Sequence, residues 1–128
     1  MKLNFRSKAA FASKKAFNYL ADKHPNDIRQ IIVIRHAAIG DFMNIRPFLL
    51  GLKSFFPDAK IALSTINTYA YGTPDDLVDD VHIIDRTING KKTSAFQRLK
   101  QIRQLPRADL LFDLTDSSLS LLTAIFSK

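Results

Sequence analysis

Arg35, His36 and Asp41 fall within one short stretch, directly after four consecutive apolar residues, Ile31, Ile32, Val33 and Ile34. The segment Ile31–Pro47 reads IIVIRHAAIGDFMNIRP. A carboxylate held at such a turn can take a proton from a substrate hydroxyl as a general base, or hold that hydroxyl by accepting its hydrogen bond. Gly40, just before it, would let the backbone come close to a ligand. Asp41 has a second possible role as the N-cap of the following helix, where its oxygen would accept a free N–H of the first turn. The two roles are compatible, because a capping carboxylate can also face a ligand.

A second polar group follows another apolar run: Asp113-Leu114-Thr115-Asp116-Ser117-Ser118-Leu119-Ser120. If the two apolar runs are neighbouring strands, this turn lies beside Asp41 and lines the same crevice. Alternatively it caps the last helix, with Asp116 or Ser117 as N-cap. All twelve acidic residues are Asp, so any carboxylate chemistry comes from Asp. His24, His36 and His82 are far apart and show no metal-ligand spacing, and there is no cysteine, hence no disulfide, thiolate chemistry or cysteine metal site.

The elements that must position these groups are read from periodicity. Strands are expected at Ile31–Arg35, Lys60–Thr65, Val81–Asp85 and Leu110–Leu114, with helical patterns between them. Ile45, Phe48, Leu49, Leu52 and Phe56 form an apolar stripe after the first strand. Pro47 is tolerated in the first turn of that helix, and should kink it if the helix starts right after Asp41. Thr73-Pro74-Asp75-Asp76-Leu77 predicts a short helix start, Asn89–Lys92 a polar loop, and Ala95–Leu105 a further helix closed by Pro106. Strands alternating with helices predict an α/β fold: a Rossmann-like parallel sheet with flanking helices, covered on both faces. The expected organisation is a basic amphipathic N-terminal helix and linker over 1–27, then an incomplete Rossmann-like domain over 28–128.

The net charge of +7 is unevenly placed. Residues 1–30 hold seven Lys/Arg against Asp22 and Asp27, and the remaining 98 residues hold twelve against ten. In residues 1–23, Phe5, Ala9, Ala12, Ala16 and Leu20 recur at helical spacing, with Lys8, Lys14 and Lys15 on another side. Such a helix could rest on an anionic membrane surface. The globular part has no basic stripe with interleaved aromatics, so no nucleic-acid partner is expected. No apolar run approaches the ~20 residues of a membrane span, and lysines interrupt any secretory core near the N-terminus. The expected location is the cytoplasm, with peripheral contact to the inner membrane an option.

Two resemblances bear on function. Arg35-His36 after a first strand resembles the opening of a histidine phosphatase, where the His is the phosphorylated nucleophile and the Arg a phosphate clamp. Ala37 and Ile39, however, stand where that family has Gly and Ser/Thr. The second resemblance is broader. IIVIRHAAIGD with a Pro six residues later, LLGLKSFFPDAKIAL, LVDDVHIID and ADLLFDLTDSSLSLLTA together resemble, in order, the first half of glycosyltransferase family nine, the lipopolysaccharide heptosyltransferases. The likeness covers roughly residues 30–126.

That resemblance implies the acceptor-side portion of a GT-B enzyme, in which two Rossmann-like domains face across a cleft. Asp41 would be the general base on the acceptor hydroxyl. Arg35, His36, Gly40, Asp113, Ser117 and Ser120 would contact the glycan or glycolipid acceptor. A nucleotide sugar would be the co-substrate, and no metal or other cofactor is required. His36 and Leu119 depart from the family pattern, while Ser120 matches it. The donor-binding C-terminal domain would lie outside the chain, so this chain alone should transfer no sugar. Two other expectations remain: a small membrane-surface α/β module without catalysis, and a phosphoryl hydrolase using His36.

Overall fold

The computed structural model describes residues 14–36, 38–115 and 117–127. Its centre is a four-stranded parallel sheet of β1 (Gln30–Ile34), β2 (Lys60–Ile66), β3 (Asp80–Ile84) and β6 (Leu110–Asp113), in the order β3-β2-β1-β6. β1 and β2 are the central pair. Ile31, Ile32, Val33 and Ile34 are all buried, because one face of the sheet meets α2 (Ile39–Phe55) and the other meets α3 (Ala95–Ile102) and α4 (Ser118–Phe126). A strand covered on both faces reads as a continuous apolar run rather than an alternating one. The sequence-predicted strands are all present, within a residue or two at each end.

The two cores follow strand alternation. Ile31, Val33, Ile61, Leu63 and Leu110 pack with Phe42, Ile45, Leu49, Leu52 and Phe56 of the α2 side. Ile32, Ile34, Ala62, Ile66 and Ile84 pack with Ile102 and Leu105, and Leu119 and Ala124 of α4 rest against them. The first core also contains an edge-to-face pair, Phe48 and Phe112, with ring centroids 5.3 Å apart.

Three local expectations change. Helix α2 begins at Ile39, two residues before Asp41, so Pro47 sits inside it rather than in its first turn. Burial of the α2 stripe outweighs the missing proline N–H. The segment Thr73–Leu77 forms a turn instead of a helix start, closed by Leu77 N–H donating to the Pro74 carbonyl (2.8 Å). A bidentate pair between Arg46 of α2 and Asp76 (2.8 and 2.5 Å) holds that turn. Finally, Asn89-Gly90 is a tight hairpin turn between β4 (Thr87–Ile88) and β5 (Lys91–Lys92), with positive φ at both residues (51° and 76°). Asn-Gly is the pair that a type I′ turn selects.

Helix α3 opens with a reciprocal cap between Ser94 and Gln97. It is clamped to β3 by Gln101, whose amide donates to Asp85 (2.8 Å) and accepts the Asp85 N–H (3.0 Å). Of the expected N-terminal helix, α1 (Lys14–Ala21) is present. Residues 1–13 lie outside the described residues.

Candidate functional site

The carboxyl end of β1 is where the chain leaves the sheet for α2. Arg35 N–H donates to the Ser64 carbonyl (2.9 Å), continuing the β1–β2 ladder by one residue. The Arg35 guanidinium then joins two other segments. Its Nη2 lies 3.0 Å from Asp41 Oδ1 in the first turn of α2, and its Nη1 donates to the Leu114 carbonyl just past β6. One cation therefore ties together the β1 exit, the α2 start and the β6 exit.

The β6 turn is fixed to the same place by its own bonds. Leu114 N–H donates to the Ile34 carbonyl (3.0 Å), and His36 N–H donates to Thr115 Oγ1 (2.8 Å). Because β1 and β6 are paired neighbours, Asp113 stands opposite Ile34. The two polar turns separated by more than seventy residues in sequence thus form one rim at the carboxyl edge of the sheet. In open α/β sheets this edge is where ligands bind.

Asp41 is not the N-cap. That position belongs to Ala38, whose side chain makes no capping bond, and Asp41 is the third residue of the helix. Its carboxylate is therefore free of capping duty. It is paired with Arg35 and 39% exposed, against 22% for the Arg35 side chain. An acid in the first turn also complements the helix dipole. Gly40 is exposed, and a Cβ built on it would meet nothing within 4 Å. The fold itself does not require glycine there.

His36 behaves differently from the sequence expectation. The residue is 9% exposed, and neither ring nitrogen has a hydrogen-bond partner among the described residues. Burial, and then the nearby Arg86 cation, push its pKa down to about 4. The ring is neutral near pH 7 and enclosed. A phosphoryl-accepting histidine needs an open approach to its nitrogen, so the structure speaks against His36 as nucleophile.

The β6 turn divides in the same way. Asp113 is exposed, with Oδ1 accepting the Thr115 N–H (2.9 Å). Ser117 is the exposed N-cap of α4 and pairs reciprocally with Ser120. Ser120 is fully buried, its hydroxyl 2.9 Å from the Thr115 and Ser117 carbonyl oxygens. It is a positioning group, closed to an acceptor. Asp116, the other expected cap, lies outside the described residues.

Three residues near this rim, Arg86, Ser64 and Thr65, escaped sequence reading, and Thr115 was read only as part of the β6 turn. Thr115 receives the His36 N–H, and Arg86 faces the His36 ring electrostatically. Ser64 and Thr65, near the end of β2, are fully buried with hydroxyls that have no partner among the described residues. Adjacent hydroxyls near the carboxyl end of an otherwise apolar strand were the available signal. A cleft of about 390 Å³ opens at the opposite end of the sheet, against Gln30, Lys60, Asp79 and Asp80. Its Asp79 is already engaged, accepting the Ile61 N–H (2.7 Å). Among the described residues, no group of three or more His, Asp, Glu or Cys is placed to hold a metal.

The fold is similar to that of a solved structure. A crystal structure titled as the glycosyl transferase family 9 from Veillonella parvula DSM 2008 superposes with a TM-score of 0.55 at 17% sequence identity. The match covers 77% of this chain and 29% of that one, so the chain spans less than a third of that protein's length. No protein-family model and no curated protein matches the sequence. The likeness therefore establishes a glycosyltransferase-like α/β fold.

Proposed function

We propose that this chain is the acceptor-side part of an inverting glycosyltransferase, with Asp41 as the general base. The observation that carries this reading is the Asp41 carboxylate itself: unused as a cap, held by Arg35 and exposed at the carboxyl edge beside the central strand β1. The fold likeness to a family 9 glycosyl transferase supports it. Asp41 takes the proton of an acceptor sugar hydroxyl. That oxygen attacks the anomeric carbon of the donor, the bond to the nucleotide phosphate breaks, and the configuration inverts. General-base assistance of this kind contributes about 10²–10⁴-fold.

Asp113 and Ser117, exposed on the adjoining turn, would accept or donate bonds to other acceptor hydroxyls. A lipopolysaccharide-type glycan is the acceptor class that the family resemblance favours. No residue of this chain is assigned to the nucleotide, and the chain by itself is expected to bind acceptor without turning over nucleotide sugar.

Titration of the isotope-labelled chain with phosphorylated core oligosaccharides tests the reading. Shifts should concentrate on the Arg35, Gly40, Asp41 and Ser117 resonances. Removing one charge-assisted hydrogen bond with Asp41→Ala should weaken binding by about tenfold or more. Shifts confined to other surfaces, or an affinity indifferent to Asp41→Ala, would overturn it.

A further inference from the structure

Tyr69 and Tyr71 stand two residues apart on the connection from β2 to β3, 37% and 74% exposed. Among the described residues, neither ring pairs with another and neither hydroxyl has a hydrogen-bond partner. Single surface aromatics are ordinary, but these two sit on a segment that the fold holds at both ends. On one side the Asn67 amide donates to the Thr87 carbonyl (2.6 Å), and its Oδ1 accepts the Arg86 N–H (3.1 Å). On the other, Asp76 is held by Arg46, and Thr73 Oγ1 donates to Asp75 Oδ1 (2.6 Å). Pro74, Leu77 and Val78 are buried. Gly72, with a φ of 71°, turns the chain directly after Tyr71. A segment already ordered loses little freedom when it binds a ligand.

The pair belongs to the same end of the sheet as Asp41. Ser64 of β2 lies opposite Ile34 of β1, and β2 ends two residues later at Ile66. Tyr69 and Tyr71 follow within five residues. The connection then runs along the face covered by α2, since Leu77 and Val78 join the core that α2 builds. Its tie to α2 is Arg46, five residues and about 7.5 Å of helix axis from Asp41. Because β2 and β6 flank β1 on opposite sides, the tyrosines border the start of α2 from the β2 side, as Asp113 and Ser117 do from the β6 side. Residues 67–74 carry no charge, so this wall of the rim does not select a phosphate or carboxylate. A flat aromatic face with a free hydroxyl suits a neutral sugar ring, whose axial C–H groups pack on the π-face while its hydroxyls bond the tyrosine OH. The Cα atoms of residues two apart are separated by at most about 7 Å, the span of one or two linked rings. We infer that Tyr69 and Tyr71 form a stacking platform for an uncharged sugar unit of the acceptor. This inference rests on the glycosyl-transfer reading for its ligand class and adds a binding region to it.

The chain has three tyrosines, so Tyr19 on α1 is an internal control. The full chain, isotope-labelled at tyrosine, is titrated with a phosphorylated core oligosaccharide and with its dephosphorylated form. The ring resonances of Tyr69 and Tyr71 should shift with both, and saturating them should transfer to sugar C–H protons, while Tyr19 stays unchanged. Tyr71→Ala and Tyr69→Ala should each weaken binding about threefold to tenfold. Tyr71→Phe should keep most of the affinity because the face remains, and Tyr71→Leu should not, although it keeps apolar bulk. Neither side chain is buried, so circular dichroism should be unchanged. An affinity indifferent to both alanine variants overturns the inference, as does the absence of ring shifts with either oligosaccharide. So do shifts that grow with protein concentration without sugar, which would assign the pair to a contact between copies of the chain. The two readings fail separately: an Asp41→Ala without effect, beside a Tyr71→Ala that weakens binding, removes the general base and keeps the platform.

Discussion

The two ends of the sheet treat their polar groups in opposite ways. At the amino end, aspartates close the strand starts. Asp109 Oδ2 accepts the N–H groups of Arg29 (2.8 Å) and Gln30 (3.0 Å), and Asp109 N–H donates to the Gln30 carbonyl (2.8 Å). Asp79 does the same for Ile61, accepting its N–H (2.7 Å) and donating to its carbonyl (2.8 Å). At the carboxyl end, the buried atoms without a partner among the described residues are gathered: Arg35 Nε, both His36 ring nitrogens, Ser64 Oγ and Thr65 Oγ1. Buried polar groups are normally satisfied. One end is therefore built for stability, and the other carries polar groups that the fold itself does not use. That contrast supports the proposal that function lies at the Arg35–Asp41 rim.

The largest test of the contrast is pH. His36 has a folded pKa near 4 against an ordinary 6.5. The unfolded chain then binds more protons than the folded one between those values. Stability is complete above about 6.5 and is lost as pH falls toward 4. The loss assigned to His36 is about 2 kcal/mol between pH 7 and pH 4.5. Urea unfolding at the two pH values measures it. In His36→Leu the difference should shrink by that amount, and a difference that survives unchanged would mean the ring is not the buried base described here.

The amino end gives the converse result. Asp109→Ala leaves the Arg29 and Gln30 N–H groups without their acceptor and should cost about 1–2 kcal/mol at pH 7. The Arg29 N–H bond, followed by those of Gln30 and Tyr19, holds the Asp109 carboxyl below its ordinary value. Its contribution is therefore present above about pH 3.8 and is lost as pH falls through the lower folded value, below the His36 window. Ligand shifts at Asp41 should be untouched by this variant. A change in acceptor affinity as large as the change in stability would erase the division between the two ends.

The sheet was legible because its strands announce themselves. Ile31–Ile34 and Leu110–Phe112 are apolar runs bounded by polar turns, and strand-helix alternation predicts their parallel arrangement. The placement of Asp113–Ser120 beside Arg35–Asp41 also follows from that topology. What was not legible depended on details that spacing does not encode. Asp41 as N-cap was the local preference of the residue type, yet the N-cap lies three residues earlier, at Ala38. Ser120 was expected to face an acceptor, but its hydroxyl turns inward to close the α4 cap. His36 is polar in sequence and buried in the fold. Ser64 and Thr65 looked like ordinary strand residues, because a hydroxyl without a partner can be recognised only when its surroundings are known.

Ser64 offers a sharper reading of the carboxyl end. Its hydroxyl is fully buried and unpartnered among the described residues. Ser64→Ala removes a polar atom that gains nothing from the fold, so the variant should be neutral or up to about 1 kcal/mol more stable. Thermal unfolding measures this. A clear destabilisation would show that the hydroxyl has a partner in solution, and the asymmetry between the ends would weaken at that position.

Gly40→Ala separates stability from binding with the smallest expected change in stability. Gly40 is helical, exposed, and has open space where a Cβ would sit. Nothing in the free fold resists a methyl group there. Alanine should stabilise α2, by about 0.5 kcal/mol in this first turn, since the full glycine penalty of about 1 kcal/mol applies to helix interiors. The consequence for a ligand is the opposite. If the acceptor lies against the backbone beside Asp41, the added methyl fills the space the ligand needs, and affinity should fall while the melting temperature rises slightly. Opposite signs for stability and binding would locate the ligand at this turn without touching a charged group. A variant that gains stability and binds as before would move the acceptor away from Gly40, leaving Asp41 to be reached from the β6 side of the rim.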